Sequence, residues 1–232
     1  MGCRMLVAFG KLSMTQLLDD FKQMAQNRNE KHELNKDNPD YLHRSGWGIV
    51  VGKAGKLELY KKEVPCWEDP KLPDYHNVDA DFVMLHARKA SVGRETYANT
   101  HPFEGNGWYF CHNGTIRDFK SQEKTDSEQF FMQVLEATKR SSNIKDAFVA
   151  TANQMKDYSA INTILANSEK AYVMVNYKIY PMYYTMKYLK GKNYAIVSSE
   201  CLPSFKGEWT KINNNTIVTV SAANQKIESQ SF

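Results

Sequence analysis

Apolar positions recur with two different periods along this chain. Residues 5–9 (Met-Leu-Val-Ala-Phe) form an unbroken apolar run, the pattern of a buried strand. Met14, Leu17, Leu18, Phe21, Met24 and Ala25 follow at helical spacing behind Ser13-x-x-Gln16, so the spacing predicts a capped amphipathic helix over 14–28. Residues 29–45 are polar, contain Pro39 and lack a period, which reads as a surface loop. Strands are predicted at 47–51 and 57–60, joined by a turn containing Gly52 and Gly55, and again at 82–85 and 108–111. The prolines at 65, 70 and 73 mark 63–81 as loop, and 94–107 reads as a long polar loop.

A second helix is predicted from about Thr125, with Thr125-x-x-Glu128 as its capping box and Phe130, Phe131, Val134 and Leu135 as its apolar stripe. A third covers 143–155, with Ile144, Ala147, Phe148 and Met155 on one face. Beyond it the chain reads as strands at 161–166, 171–177, 182–188, 194–198 and 216–220, rich in Tyr, Val, Ile and Thr. Strands, then helices, then strands predict an α+β layered architecture. No linker divides the 232 residues, so residues 1–232 are expected to form one domain.

Charge changes this picture little. Thirty basic and 26 acidic residues leave +4, and the lysines are scattered, which calls for neither nucleic acid nor a membrane surface. No stretch is long and apolar enough to span a bilayer, and no apolar run of signal-peptide length opens the chain. Leu6 stands where a myristoylation motif needs Ser or Thr. The four cysteines, Cys3, Cys66, Cys111 and Cys201, lie far apart without a CxxC pair, which favours reduced thiols and a cytoplasmic setting. The spacing of the six histidines matches no zinc pattern, so they read as structural or surface residues.

Four places carry candidate chemistry, and each has an ordinary explanation. Cys3 lies beside the chain start, where a cysteine whose own α-amine is free can act as a nucleophile; alone, such a cysteine is usually structural. Arg88, after the predicted 82–85 strand, offers a forked contact to a carboxylate or a surface ion pair. Asn113-Gly114 offers a side-chain donor and a backbone N–H for an oxyanion, or a plain hairpin turn. Asp126, opening the second helix, offers a partner for a substrate ammonium or a helix cap.

Together these residues stand in the order of a known family. Cys3-Arg4, His43 to Ile49 with Gly46-Trp47-Gly48, His86 to Ser91, His101-Pro102-Phe103, His112-Asn113-Gly114 and Thr125 to Glu128 resemble the glutaminase domain of class II glutamine amidotransferases, among the N-terminal-nucleophile hydrolases. Ile161-Asn162 and Ser198-Ser199-Glu200 are weaker echoes, and the nearest likeness is to the stand-alone, single-domain branch.

The resemblance implies a four-layer αββα sandwich and hydrolysis of the glutamine side-chain amide through a γ-glutamyl thioester on Cys3, without metal or other cofactor. It assigns Cys3 as nucleophile, Asn113 and Gly114 as oxyanion donors, Arg88 as the clamp on the substrate α-carboxylate and Asp126 on its α-ammonium. Ser91 falls where relatives carry a small hydroxyl residue near the carboxylate, and His101 receives no role. Implied partners are a small-molecule substrate, glutamine or another γ-glutamyl compound, and a separate ammonia-accepting synthase subunit. Three positions depart from the pattern. Gly2 precedes Cys3 where relatives begin Met-Cys, so removal of Met1 alone leaves an amide where a free amine is needed. Ser45 replaces a frequent acidic residue, and Val92 replaces a frequent histidine. A γ-glutamyl hydrolase, or a non-catalytic member retaining Gly2, are the alternatives.

Overall fold

The apolar run at the chain start becomes strand β1 (Arg4–Gly10), buried from Arg4 to Phe9 because both its faces are covered. Leu6 and Ala8 face one apolar layer, while Met5, Val7 and Phe9 face another. The alternation follows from the strand's period of two. The computed structural model describes residues 2–119, 123–141 and 143–232. Met1, whose removal the sequence makes a condition of activity, lies outside the described residues.

After β1 come α1 (Met14–Ala25), the hairpin β2 (Trp47–Lys53) and β3 (Lys56–Lys62), then β4 (Phe82–Ala87), β5 (Phe103–Gly105) and β6 (Trp108–Ile116). Helices α2 (Asp126–Ala137) and α3 (Ile144–Gln154) follow. The rest comprises β7 (Tyr158–Ala166), β8 (Lys170–Val175), the single turn α4 (Pro181–Tyr184), β9 (Lys187–Lys190), β10 (Tyr194–Ser198), β11 (Thr210–Lys211), β12 (Thr216–Ser221) and β13 (Ile227–Ser231). One antiparallel sheet runs β11-β9-β10-β1-β4-β2-β3 and the other β13-β12-β8-β7-β6-β5.

Inward residues of the two sheets, among them Val7, Phe9, Met84 and Val197 against Cys111, Ile164, Val173 and Val218, form the central core. Leu17, Leu18, Phe21 and Met24 of α1 cover the outer face of the first sheet. Phe130, Phe131 and Val134 of α2, with Phe148 of α3, cover the outer face of the second. The result is the expected α+β four-layer αββα sandwich.

Both capping boxes form: Ser13 Oγ accepts from Gln16 N and Thr125 Oγ1 from Glu128 N. The first helix stops at Ala25 rather than 28, because Asn27 turns left-handed at φ 60°. The predicted strand 182–188 is wrong over its first half. Tyr180 is left-handed and Pro181 takes the first helical position, so 181–184 wind into one turn before β9 begins. The loop 29–45 is not wholly superficial: His32, Asn35, Tyr41, His43 and Ser45 are buried. The short strands β5, β11 and β13 carry no periodic signal long enough to read.

Candidate active site

The start of β1 delivers Cys3 to the rim where the two sheets meet. Its backbone is fixed from both sides: Cys3 N donates to Asn113 Oδ1 at 2.7 Å, and the Tyr183 hydroxyl donates to Cys3 O at 3.0 Å. Arg4 follows into the core, ion-paired to Glu200 at 2.7 Å and lying 3.9 Å over the Tyr183 ring. Gly2 N donates to the Tyr41 hydroxyl at 3.2 Å. A Cβ on Gly2 would overlap the Tyr183 ring and Asn113 Oδ1, so this slot fits glycine alone.

Strand β4 brings in Arg88 where the chain leaves the sheet. Arg88 N donates to Gly46 O and Ser45 N to Arg88 O, so the exit is pinned against β2. The Arg88 side chain is 3% exposed, not a surface residue. Its Nη1 and Nη2 donate to the carbonyls of Arg94 (3.2 Å) and Val92 (2.9 Å). Among the described residues no carboxylate forms an ion pair with it.

Asn113-Gly114 is not a hairpin turn but lies inside β6, paired with Asn162-Ile161 of β7. Gly114 has φ +155°, and a Cβ there would overlap the Ala160 carbonyl. The register shifts between Gly114 and Ile116, turning the strand end towards α2. There Asp126 Oδ2 accepts from Ile116 N at 2.7 Å. The helix cap is Thr125, so Asp126 is not the cap. His112 closes this wall, with Nδ1 2.8 Å from Ser127 Oγ and Nε2 3.1 Å from Ala160 O.

Cys3, Arg88, Ser91, Gly114 and Asp126 therefore line one cavity, with His101, His112 and Lys89. Asn113 joins them through its bond to Cys3 N. Ser91 is exposed at the mouth, its Oγ 3.3 Å from Thr115 Oγ1. The free volume is about 20 Å³, close to one water, so a larger ligand needs the lining side chains to move apart. Burial pushes the Cys3 thiol up, against the pull of the Arg88 charge. A thiol protonated at rest needs a base before it can attack. Burial also lowers His112, although the Asp126 charge opposes this.

Tyr41 and Tyr183, the two hydroxyls that hold the Gly2–Cys3 backbone, carry no recognisable signal in the sequence. Tyr41 lies in the polar loop 29–45 and Tyr183 in the segment 182–188, whose pattern predicts a strand. The nearest signal was His43, whose Nε2 lies 3.1 Å from the Tyr183 hydroxyl.

The family profile described as glutamine amidotransferases class-II matches residues 35–223, a span that begins after Cys3. The chain is 29% identical over 154 residues to the Escherichia coli (strain K12) protein named "Putative glutamine amidotransferase YafJ", across 57% of this chain and 60% of that one. It is 21% identical to "Probable glutamine amidotransferase DUG3" of Saccharomyces cerevisiae, across 94% and 81%. Matches to YafJ and to proteins of Methanocaldococcus jannaschii and Haemophilus influenzae span 60%, 44% and 50% of those relatives' lengths. Among solved structures, a glutamine aminotransferase class-II domain protein from Silicibacter pomeroyi superposes with TM-score 0.62 at 17% identity over 99% of both chains. The glutamine phosphoribosylpyrophosphate amidotransferase of B. subtilis gives 0.69 at 16% identity, over 99% of this chain and 49% of that one. These structural likenesses carry the N-terminal-nucleophile hydrolase fold. With the profile matching residues 35–223, most of the chain, this protein belongs to the class-II glutamine amidotransferases.

Proposed function

We propose that the protein hydrolyses the side-chain amide of glutamine through a γ-glutamyl thioester on Cys3. The observation that carries the reading is Arg88: a buried guanidinium that forms no ion pair with a carboxylate among the described residues, sharing a small cavity with a cysteine thiol. Burying such a charge is unfavourable unless something pairs with it. A substrate α-carboxylate fits the fork of the guanidinium. Asp126 has one carboxylate oxygen bonded to Ile116 N, which leaves the other for the α-ammonium.

In this account the Cys3 sulfur attacks the amide carbon as its proton passes to the α-amine of a processed Cys3. The tetrahedral oxyanion takes hydrogen bonds from Asn113 Nδ2 and Gly114 N. The Asn113 orientation supports this, because its Oδ1 is already engaged with Cys3 N. Each such donor typically contributes ~3 kcal/mol to lowering the barrier. The C–N bond breaks, and ammonia leaves with the proton returned by the amine. Water then attacks the thioester carbonyl, the C–S bond breaks, and glutamate departs as the thiol is restored. The same α-end clamp would serve a γ-glutamyl compound with another leaving group, and ammonia would pass to solvent or to a partner synthase.

The Gly2 slot favours a second reading. While Gly2 is present the Cys3 nitrogen is an amide, which cannot accept the thiol proton. A chain holding Gly2 in this fitted slot would be a non-catalytic form of the family. Intact mass of the purified protein, paired with glutamate release from glutamine and from γ-glutamyl peptides, separates these readings. Cys3→Ala should abolish release; turnover in that variant removes Cys3 from the mechanism. Arg88→Ala should chiefly raise KM, and a pure kcat loss with unchanged binding would count against the clamp.

A further inference from the structure

Two imidazoles line the Cys3 cavity, His112 on β6 and His101 just before β5, and a third, His86 on β4, packs against the His101 ring. All three are buried. His112 has both ring nitrogens engaged, and His86 has Nε2 3.3 Å from His112 O. His86 lacks a partner at Nδ1 alone, whereas among the described residues neither Nδ1 nor Nε2 of buried His101 has a hydrogen-bond partner, and His101 lines the cavity with Arg88, Asn99 and Asp126.

Packing does not explain a histidine at this position. The ring lies 4.4 Å from the His86 ring and 4.3 Å from the Phe103 ring, contacts a phenylalanine would make equally well. Native proteins seldom bury a polar group unsatisfied, and exceptions cluster where a ligand or a function supplies the partner. The neighbouring strand is also shaped around this segment. A Cβ on Gly48 would overlap His101 O and lie 2.8 Å from Pro102 Cδ, while one on Gly46 would lie 2.9 Å from Thr100 Oγ1. Gly46, just before β2, and Gly48 within it thus let the backbone of residues 100–102 lie close against this strand. Burial, with neighbouring His86, His112, Arg88 and Lys61, keeps the ring neutral. A neutral imidazole offers one N–H donor and one lone pair.

We propose that His101 is a substrate-contacting residue at the α-amino-acid end of the cavity, its ring N–H donating to the carboxylate that Arg88 clamps. The inference rests on the glutamyl-binding reading above and adds a third contact to it.

The test measures L-glutamate binding to the full chain carrying Cys3→Ala, with and without His101→Phe or His101→Gln, by calorimetry, and follows thermal unfolding of each. His101→Phe keeps the stacked ring and removes both unpartnered nitrogens. It should unfold at the same temperature or higher, yet bind L-glutamate about 10- to 100-fold more weakly, the worth of a hydrogen bond to a charged group. His101→Gln, which restores a donor, should recover part of the loss. In catalytically competent protein the same substitutions should raise KM more than they lower kcat. Unchanged affinity in a folded His101→Phe protein overturns the proposal, as does lowered stability with unchanged affinity, which marks a structural ring. Should His101→Phe fail to fold, ring ¹⁵N shifts of His101 in the Cys3→Ala chain decide: they move on adding L-glutamate, or the proposal falls. If that chain binds no L-glutamate while His101 is intact, the glutamyl reading fails and takes this inference with it; binding insensitive to His101 refutes this inference alone.

Discussion

Mild acid should begin to destabilise this protein before its carboxylates are neutralised. His43, His86 and His101 are at most 4% exposed. Burial lowers all three imidazoles, His86 to about 3 and the other two well below 6.5. In the unfolded chain each binds a proton near its ordinary pKa of ~6.5. A base whose folded pKa is depressed contributes its full stability above the unfolded value, and that contribution is lost as pH falls below it. From about pH 6 towards 4 these three alone therefore leave the unfolded state with roughly three more protons than the folded state, and His32 and His112, also buried and lowered, act in the same direction. Each removes ~1.4 kcal/mol of stability per pH unit, so the three together remove roughly 4. A domain stable by ~5–15 kcal/mol at neutrality would lose its native state within about one to four units below pH 6.5. Carboxylates begin to contribute only near pH ~4–5. Urea titrations at half-unit steps from about pH 7.5 to 4.5 give the slope directly. A fall of less than ~1.5 kcal/mol between pH 6 and 5 would refute the neutral cluster, because even one such histidine produces nearly that. His101→Phe should make the slope shallower by about one proton.

Three further outcomes follow from the geometry. Gly114→Ala should destabilise by more than ~3 kcal/mol, since its Cβ would meet a backbone carbonyl that cannot step aside; an unchanged melting temperature would mean β6 and β7 separate there easily. Glu200→Ala should cost ~3–5 kcal/mol by stranding the buried Arg4 charge, whereas Arg4→Met combined with Glu200→Leu should cost less than that single change in denaturant titrations. Gly48→Ala should displace the His101 segment, raising KM for glutamine while alkylation of Cys3 by iodoacetamide proceeds as before; unchanged KM would separate Gly48 from the site.

Where the burial pattern is set locally, the sequence was readable. The five apolar residues of β1 are covered on both faces, and Ser13 and Thr125 cap their helices through bonds spanning three residues. The architecture and the residues gathered at the cavity were legible as a family pattern. What failed depended on contacts distant in sequence. Residues 182–184 alternate like a strand, but Tyr183 must reach Cys3 O across the fold, and Tyr180-Pro181 wind the chain to place it. The polar spacing of 29–45 hid Tyr41 and His43, which are buried only because they pack on one another and on Tyr183. Asn113-Gly114 reads as a turn in isolation, and pairing with Asn162-Ile161 holds it extended. His101 carried no local signal, since its unsatisfied nitrogens become visible only once β2, β4 and β6 enclose it.

The central claim is that Cys3 carries the γ-glutamyl group, and an acid-quenched reaction with L-glutamine followed by peptide mass mapping tests it most directly. The account predicts a γ-glutamyl adduct on Cys3 in chains that begin at Cys3, less of it at subsaturating glutamine in Arg88→Ala, and none in Cys3→Ala or in chains that retain Gly2. Glutamine turnover without an adduct on Cys3, or equal turnover by chains that keep Gly2, would contradict it.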